Sequence, residues 1–209
     1  MNFENAFAEL PILAILRGVA PDEVEGVAEA LHRAGILIVE VPMNSPDPLA
    51  SIARLSRAFA GRMVCGAGTV RTTAEVDAIA AAGGQIVVSP HTAPTVIRNT
   101  LKRGLIPIPG FSSPTEAFGA IEAGARYMKL FPASTHGPGH VAALSAVLPR
   151  ETRVIAVGGI GPDDMPAWWS SGAHGFGLGS DLYKPGRSAE EVFQRASAAV
   201  NGFRALAAR

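Results

Sequence analysis

Three charged residues stand inside or at the end of apolar runs, where a charge is costly to bury. Lys129 lies in RYMKLF (126–131), Glu40 in ILIVEV (36–41), and Arg17 closes ILAILR (12–17). The chain holds only three lysines, so one of them in a strand-like run asks for a reason. A lysine can pack its stem and let the amine reach solvent. Alternatively, desolvation lowers its pKa, and the neutral amine can attack a carbonyl and form a Schiff base. Apolar neighbours on both sides and a position late in the chain favour the second reading. Glu40 can serve as an ion-pair partner for Arg17 or Lys129. It can also be a proton shuttle, since a carboxyl with a raised pKa suits acid–base work near neutrality.

Two glycine-containing pairs, the glycine pairs, extend the set. Gly158-Gly159 follows RVIAV, and Gly179-Ser180 follows HGFGL. Such positions occur in ordinary turns. They also let backbone N–H groups approach an anion closely, and two of them at consecutive run ends favour a phosphate site. Thr69 in GAGTV and Ser89 in QIVVS are the other polar residues at run ends.

The remaining reactive residue types carry weaker signals. His136 and His140 are four apart, but Gly137, Pro138 and Gly139 separate them. A loop entering a helix fits that stretch better than a metal-binding helix face, so no metal site is expected. His91 follows Pro90 and is expected to border the pocket, whereas His32, His174, Trp168 and Trp169 read as packing or surface residues. Cys65 is the only cysteine. That rules out an intrachain disulfide and a cysteine-rich metal cluster, and reads as a small buried hydrophobe. No spacing supports a Ser-His-Asp arrangement.

The elements that position these residues alternate. Eight short apolar runs read ILAIL (12–16), ILIVEV (36–41), MVCGAG (63–68), QIVVS (85–89), LIPIP (105–109), RYMKLF (126–131), RVIAVGG (153–159) and HGFGLGS (174–180). Their Val and Ile content suits buried parallel strands. Helical segments are predicted at Pro21–Ala34, Thr72–Ala82, Ser113–Ala123, Pro162–Ser171 and Ser188–Leu206, several with a capping Ser or Thr and a closing glycine. The repeated strand–helix unit implies right-handed crossovers. Eight units imply a (β/α)8 barrel over residues 1–209 as one domain, with NFENAFAEL as a short N-terminal helix. An open doubly wound sheet would want GxGxxG after its first strand, but RGVAPDE follows instead. In a barrel, Arg17, Glu40, Thr69, Ser89, Lys129 and the glycine pairs all fall where strands end, around one mouth.

Composition narrows the partners. Hydrophobic residues make up 48% of the 209 positions and charged residues 17%, with a formal net charge of zero. This gives no general attraction to nucleic acid or an anionic membrane, so an anionic ligand needs a local site. The acidic N-terminal stretch does not read as a signal peptide. No apolar run approaches the ~20 residues of a membrane helix. A cytoplasmic protein is expected.

Six motifs in order, ILAILRG, VEVPMNSP, GAGTV, MKLFPAS, AVGGI and GLGSDLY, run from Ile12 to Tyr183. Together they resemble the class I aldolases that cleave 2-keto-3-deoxy-6-phospho sugar acids. The resemblance implies Lys129 as the Schiff-base lysine and Glu40 as the acid–base carboxylate. Arg17, Thr69, Gly158, Gly159, Gly179 and Ser180 would contact the phosphorylated keto-deoxy sugar acid, and Val157 would help choose its stereochemistry. Asn44 and Val157 stand where members acting on the gluconate epimer typically carry arginine and threonine, so the resemblance implies the galactonate epimer. The gluconate epimer, both epimers, or a hydroxyglutarate-type substrate are the alternatives. Thr69 and nearby amides would hold the carboxylate, the glycine pairs the phosphate, and Arg17 either anion. The products would be pyruvate and glyceraldehyde 3-phosphate. The family resemblance also implies a homotrimer and no metal or cofactor. Metal-dependent cleavage and a non-catalytic phosphate-binding barrel are the readings from other classes.

Overall fold

The computed structural model describes residues 1–208. Nine strands appear: β1 Ile12–Ile15, β2 Ile38–Pro42, β3 Val64–Gly68, β4 Ile86–Val88, β5 Ile106–Ile108, β6 Gly110–Phe111, β7 Tyr127–Leu130, β8 Arg153–Val157 and β9 Gly175–Leu178. Their order is β5-β4-β3-β2-β1-β9-β8-β7-β6, with every pair parallel. Pro109, which has no N–H to give, splits a single run into β5 and β6. Its carbonyl accepts the Lys129 N–H at 2.8 Å. The two edges of the sheet therefore meet along one stretch of chain, and nine strands act as the eight staves of a (β/α)8 barrel. The expected fold class is present, and the run at 105–109 continues two residues further as β6.

Parity along the strands sorts the side chains into two layers, because alternate residues point to opposite faces. Leu13, Ile15, Ile38, Val64, Ile86, Val88, Ile108, Tyr127, Ile155 and Val157 form the layer inside the barrel. Their neighbours, among them Ile12, Ala14, Val39, Val41, Cys65 and Met128, pack outward against the helices. Both faces are covered, which explains why the strands read as unbroken apolar runs. The same parity carries Glu40, two residues after Ile38, and Lys129, two after Tyr127, to the inside.

The helices are α1 Phe3–Glu9, α2 Val24–Ala34, α3 Pro48–Ala58, α4 Thr73–Ala81, α5 Pro94–Lys102, α6 Pro114–Glu122, α7 Ala133–His136, α8 Pro138–Ser145, α9 Met165–Ser170 and α10 Ala189–Ala207. Capping boxes start three of them, at Thr72 with Glu75, Ser113 with Glu116 and Ser188 with Glu191. The segment predicted from Pro21 becomes helical only at Val24, and the one predicted from Pro162 opens with a 3-10 turn at Pro162–Asp164. The N-terminal helix α1 inserts Phe3 and Ala6 into the inner layer, and the Tyr127 hydroxyl donates to Glu4. It closes the end of the barrel opposite the strand C-termini. Among the described residues, no helix is long and apolar enough to cross a membrane.

Candidate active site

At the strand C-termini lies a cavity of about 640 Å³. Arg17, Glu40, Thr69, Lys129, Val157, Gly158, Gly159, Gly179 and Ser180 all line it. They come from β1, β2, β3, β7, β8 and β9 and the loops after them, so barrel closure gathers residues that are far apart in sequence. Ser89 does not line the cavity. It is buried, and its N–H donates to the Ile108 carbonyl at 3.1 Å. His91, expected at the pocket border, is exposed and outside the lining.

Lys129 is only 6% exposed, although it carries an ammonium-forming group. Burial holds its pKa below the usual lysine range, Arg17 pushes the same way, and Glu40 opposes both. The Phe131 ring lies 4.8 Å from Nζ, a distance at which a ring face attracts a cation. Glu40 is 2% exposed, and its Oε2 has no hydrogen-bond partner among the described residues. Burial pushes its carboxyl up to about 7, against the pull of Lys129 and Arg17. The two groups sense each other's charge, yet no ion pair joins them among the described residues. An amine and a carboxyl facing one cavity without neutralising each other can add to a carbonyl and move a proton within a single site.

Arg17 is held from two loops. Its Nη1 donates to Asn44 Oδ1 at 2.6 Å and its Nη2 to Thr69 Oγ1 at 3.4 Å. Thr69 itself adopts a left-handed backbone at φ 58°, an uncommon conformation for a β-branched residue. Such strain gathers where surrounding structure enforces a function-related geometry. On the other side, Gly158 and Gly159 have φ of 98° and 71°, which glycine alone adopts cheaply. A Cβ at 159 would lie 2.6 Å from Ser134 Oγ. Gly177, paired with Val157, is bare for a similar reason, because a Cβ there would meet Val157 Cγ2 at 2.7 Å.

The other candidates take packing roles. The rings of His136 and His140 stack at 4.7 Å, on either side of the break between α7 and α8, and His140 Nε2 is hydrogen-bonded to the Ser112 carbonyl at 3.0 Å. Among the described residues, no group of three or more His, Cys, Asp or Glu is placed to hold a metal ion. Cys65 is buried, and burial pushes its thiol up to about 12. Trp168 is buried, and Trp169 packs edge-on against Phe203. The cavity also includes Phe131, Tyr183, Lys184 and Pro185, which the sequence did not single out. Phe131 follows directly in KLF. The other three sit in a loop whose path depends on the fold.

The fold and the placement of its polar groups define a (β/α)8-barrel enzyme with its site at the C-terminal mouth. The family model for KDPG and KHG aldolases matches residues 3–198, and the chain belongs to that family. It is an aldolase, and so a lyase. The 2-dehydro-3-deoxy-6-phosphogalactonate aldolase of Escherichia coli (strain K12) is 44% identical over 196 residues, 94% of this chain and 96% of that protein. A solved structure described as native KDPGal superposes with a TM-score of 0.95 at 43% identity, covering 96% of this chain and 98% of that one. The KDPG aldolase of Legionella pneumophila, solved with pyruvate captured as a covalent carbinolamine, gives a TM-score of 0.81 at 25% identity and covers 96% of each chain.

Proposed function

We propose that this chain is a Schiff-base aldolase that cleaves 2-dehydro-3-deoxy-6-phosphogalactonate to pyruvate and D-glyceraldehyde 3-phosphate. The observation that carries it is the pairing of a buried amine, Lys129, with a buried carboxyl, Glu40, whose Oε2 has no hydrogen-bond partner among the described residues, on the walls of one cavity. The Legionella relative's carbinolamine is the adduct such an amine forms with pyruvate. The names of the E. coli relative and the KDPGal structure support the galactonate epimer.

In this reading Lys129 Nζ adds to the keto carbon, and the carbinolamine loses water to become an iminium. Glu40, directly or through a water, takes the proton of the hydroxyl on C4. The C3–C4 bond breaks, its electron pair enters the iminium, and the aldehyde leaves. Glu40 returns its proton to C3 of the resulting enamine. Water then hydrolyses the pyruvate iminium and frees the amine. Thr69 and nearby amides hold the carboxylate, while Gly158, Gly159, Gly179 and Ser180 hold the phosphate at bare backbone. Val157, on the cavity wall, favours one configuration of the substrate.

Residues 1–209 act as one domain in this reading, and the chain assembles as a homotrimer. Exposed Leu101 on α5 and Phe118 on α6 offer apolar surface for subunit contact. A phosphorylated substrate is retained inside cells, which supports a cytoplasmic location in this reading.

Borohydride reduction with pyruvate, followed by mass mapping, tests the covalent step. A stable adduct on Lys129 is expected, and an untouched Lys129 overturns the reading. Turnover of the two phosphorylated epimers tests the substrate. The galactonate epimer is expected to react with the higher kcat/KM, and the reverse order would reassign it.

A further inference from the structure

We propose that Lys184 is the cation that selects the phosphate end of the substrate. This rests on the aldolase reading above, which assigns the phosphate to the glycine loops but names no charged side chain for it. Lys184 lines the same cavity as Gly158, Gly159, Gly179 and Ser180. The cavity's other two basic side chains, Arg17 and Lys129, are each tied to neighbours on the opposite side of the mouth from the glycine loops. Arg17 is bound to Asn44 and Thr69, and Lys129 is buried beside Glu40. Lys184 is exposed at the rim, and among the described residues its ammonium makes no ion pair.

Its backbone is fixed from both sides. The preceding residue, Tyr183, is buried and donates its hydroxyl to Glu23 Oε2 at 3.3 Å. The following residue, Pro185, packs on the loop after β1 so tightly that a Cβ at Gly18 would lie 2.8 Å from Pro185 Cγ. The Lys184 carbonyl accepts the Arg187 N–H at 3.0 Å. Arg187 Nη1 also donates to the carbonyls of Ser180 at 3.1 Å and Asp181 at 3.0 Å. A residue anchored this way presents a flexible four-carbon arm from a rigid base, which suits a point-charge contact to a phosphate. Asp181 also lines the cavity, with its Oδ2 3.5 Å from where a Cβ at Gly161 would stand, so a rim cation also offsets this carboxylate. A net-neutral chain has no broad field to draw in a dianion, so a rim cation matters more.

The test runs the condensation of pyruvate with D-glyceraldehyde 3-phosphate or with unphosphorylated D-glyceraldehyde. Lys184→Gln is expected to lower the ratio of the two kcat/KM values about tenfold, through KM for the phosphorylated aldehyde, and Lys184→Arg to restore most of it. Inorganic phosphate is expected to inhibit the Gln variant about tenfold more weakly than the wild type. An unchanged ratio overturns the proposal. So does an equal loss with both aldehydes, which would make Lys184 a structural part of its loop. Borohydride trapping of pyruvate on Lys129 involves no phosphate and separates the two failures. If the wild type traps pyruvate while the ratio stays unchanged, only the Lys184 assignment falls. If trapping itself fails, the aldolase reading beneath it falls.

Discussion

Gly68 lies directly against the carboxyl of Glu40, so that a Cβ at position 68 would overlap both carboxyl oxygens. The strand register explains the contact. Glu40 of β2 pairs with Gly66 of β3, and Pro42 pairs with Gly68. The inner face of β3 is thus bare at two successive inward positions, and the Glu40 side chain leans over it. Gly68→Ala is expected to push the carboxyl off its place and lower kcat about 100-fold, the scale of a misplacement near 1 Å. Circular dichroism should show an unchanged fold. A variant with wild-type kcat would mean that the position of the carboxyl is not used.

On the proposed reading, Lys129 makes the opposite trade, lending function at the expense of stability. Its ammonium has no carboxylate in ion-pair contact among the described residues, and it sits on an apolar inner layer with Phe131 as its neighbour. Lys129→Met keeps the length and removes the charge. Cleavage is expected to fall by more than about 1,000-fold because the nucleophile is gone. The thermal midpoint should rise by a few degrees, since a buried polar group is replaced by an apolar one. A lowered midpoint would show that the amine is better satisfied than its burial indicates.

Much of this architecture is legible in the sequence, and the gaps have physical causes. All eight staves appear as short apolar runs, several of them rich in Val and Ile, because a parallel barrel buries both faces of every strand. Helices with a capping Ser or Thr announce themselves. By contrast, the N-cap residues of α3, α5 and α8, Asp47, Ala93 and Gly137, make no side-chain cap, and the proline that opens each of these helices is a weaker mark than a capping box. Glu40 and Lys129 stand out because a charge in an apolar run is conspicuous. The clasp of Asn44 on Arg17 and the packing of Pro185 on Gly18 join loops that only the closed barrel brings together.

Arg17 depends on that clasp. Its guanidinium bridges Asn44 and Thr69, from the loops after β2 and β3. A lysine cannot make the same forked contact. Arg17→Lys is therefore expected to raise KM about tenfold with a smaller change in kcat, read from steady-state cleavage. Asn44→Ala should raise KM about threefold by releasing one side of the fork. Unchanged KM in both variants would exclude Arg17 from substrate binding.

Glu40 and Lys129 also set the dependence on pH, with opposite signs. Burial raises the Glu40 pKa from 4.5 to about 7 in the folded protein. Between those values the native state binds a proton that the unfolded chain has released, so stability falls as pH rises. The penalty is complete above about pH 7, and at 1.36 kcal/mol per unit it is of order 3 kcal/mol. For Lys129 the folded pKa is lowered. There the unfolded chain binds the extra proton, so this residue's penalty is relieved as pH climbs toward 10.5. Glu40→Gln removes the first effect directly, while loss of the carboxylate charge also lets the Lys129 pKa fall further. Urea unfolding at pH 4.5 and pH 8 should show the variant gaining on the wild type by about 3 kcal/mol between the two. In parallel, kcat/KM for cleavage in the wild type should rise as pH passes about 7, because a base must first lose its proton. A stability difference independent of pH would show Glu40 titrating as an ordinary solvated carboxylate, with no proton to exchange near neutrality.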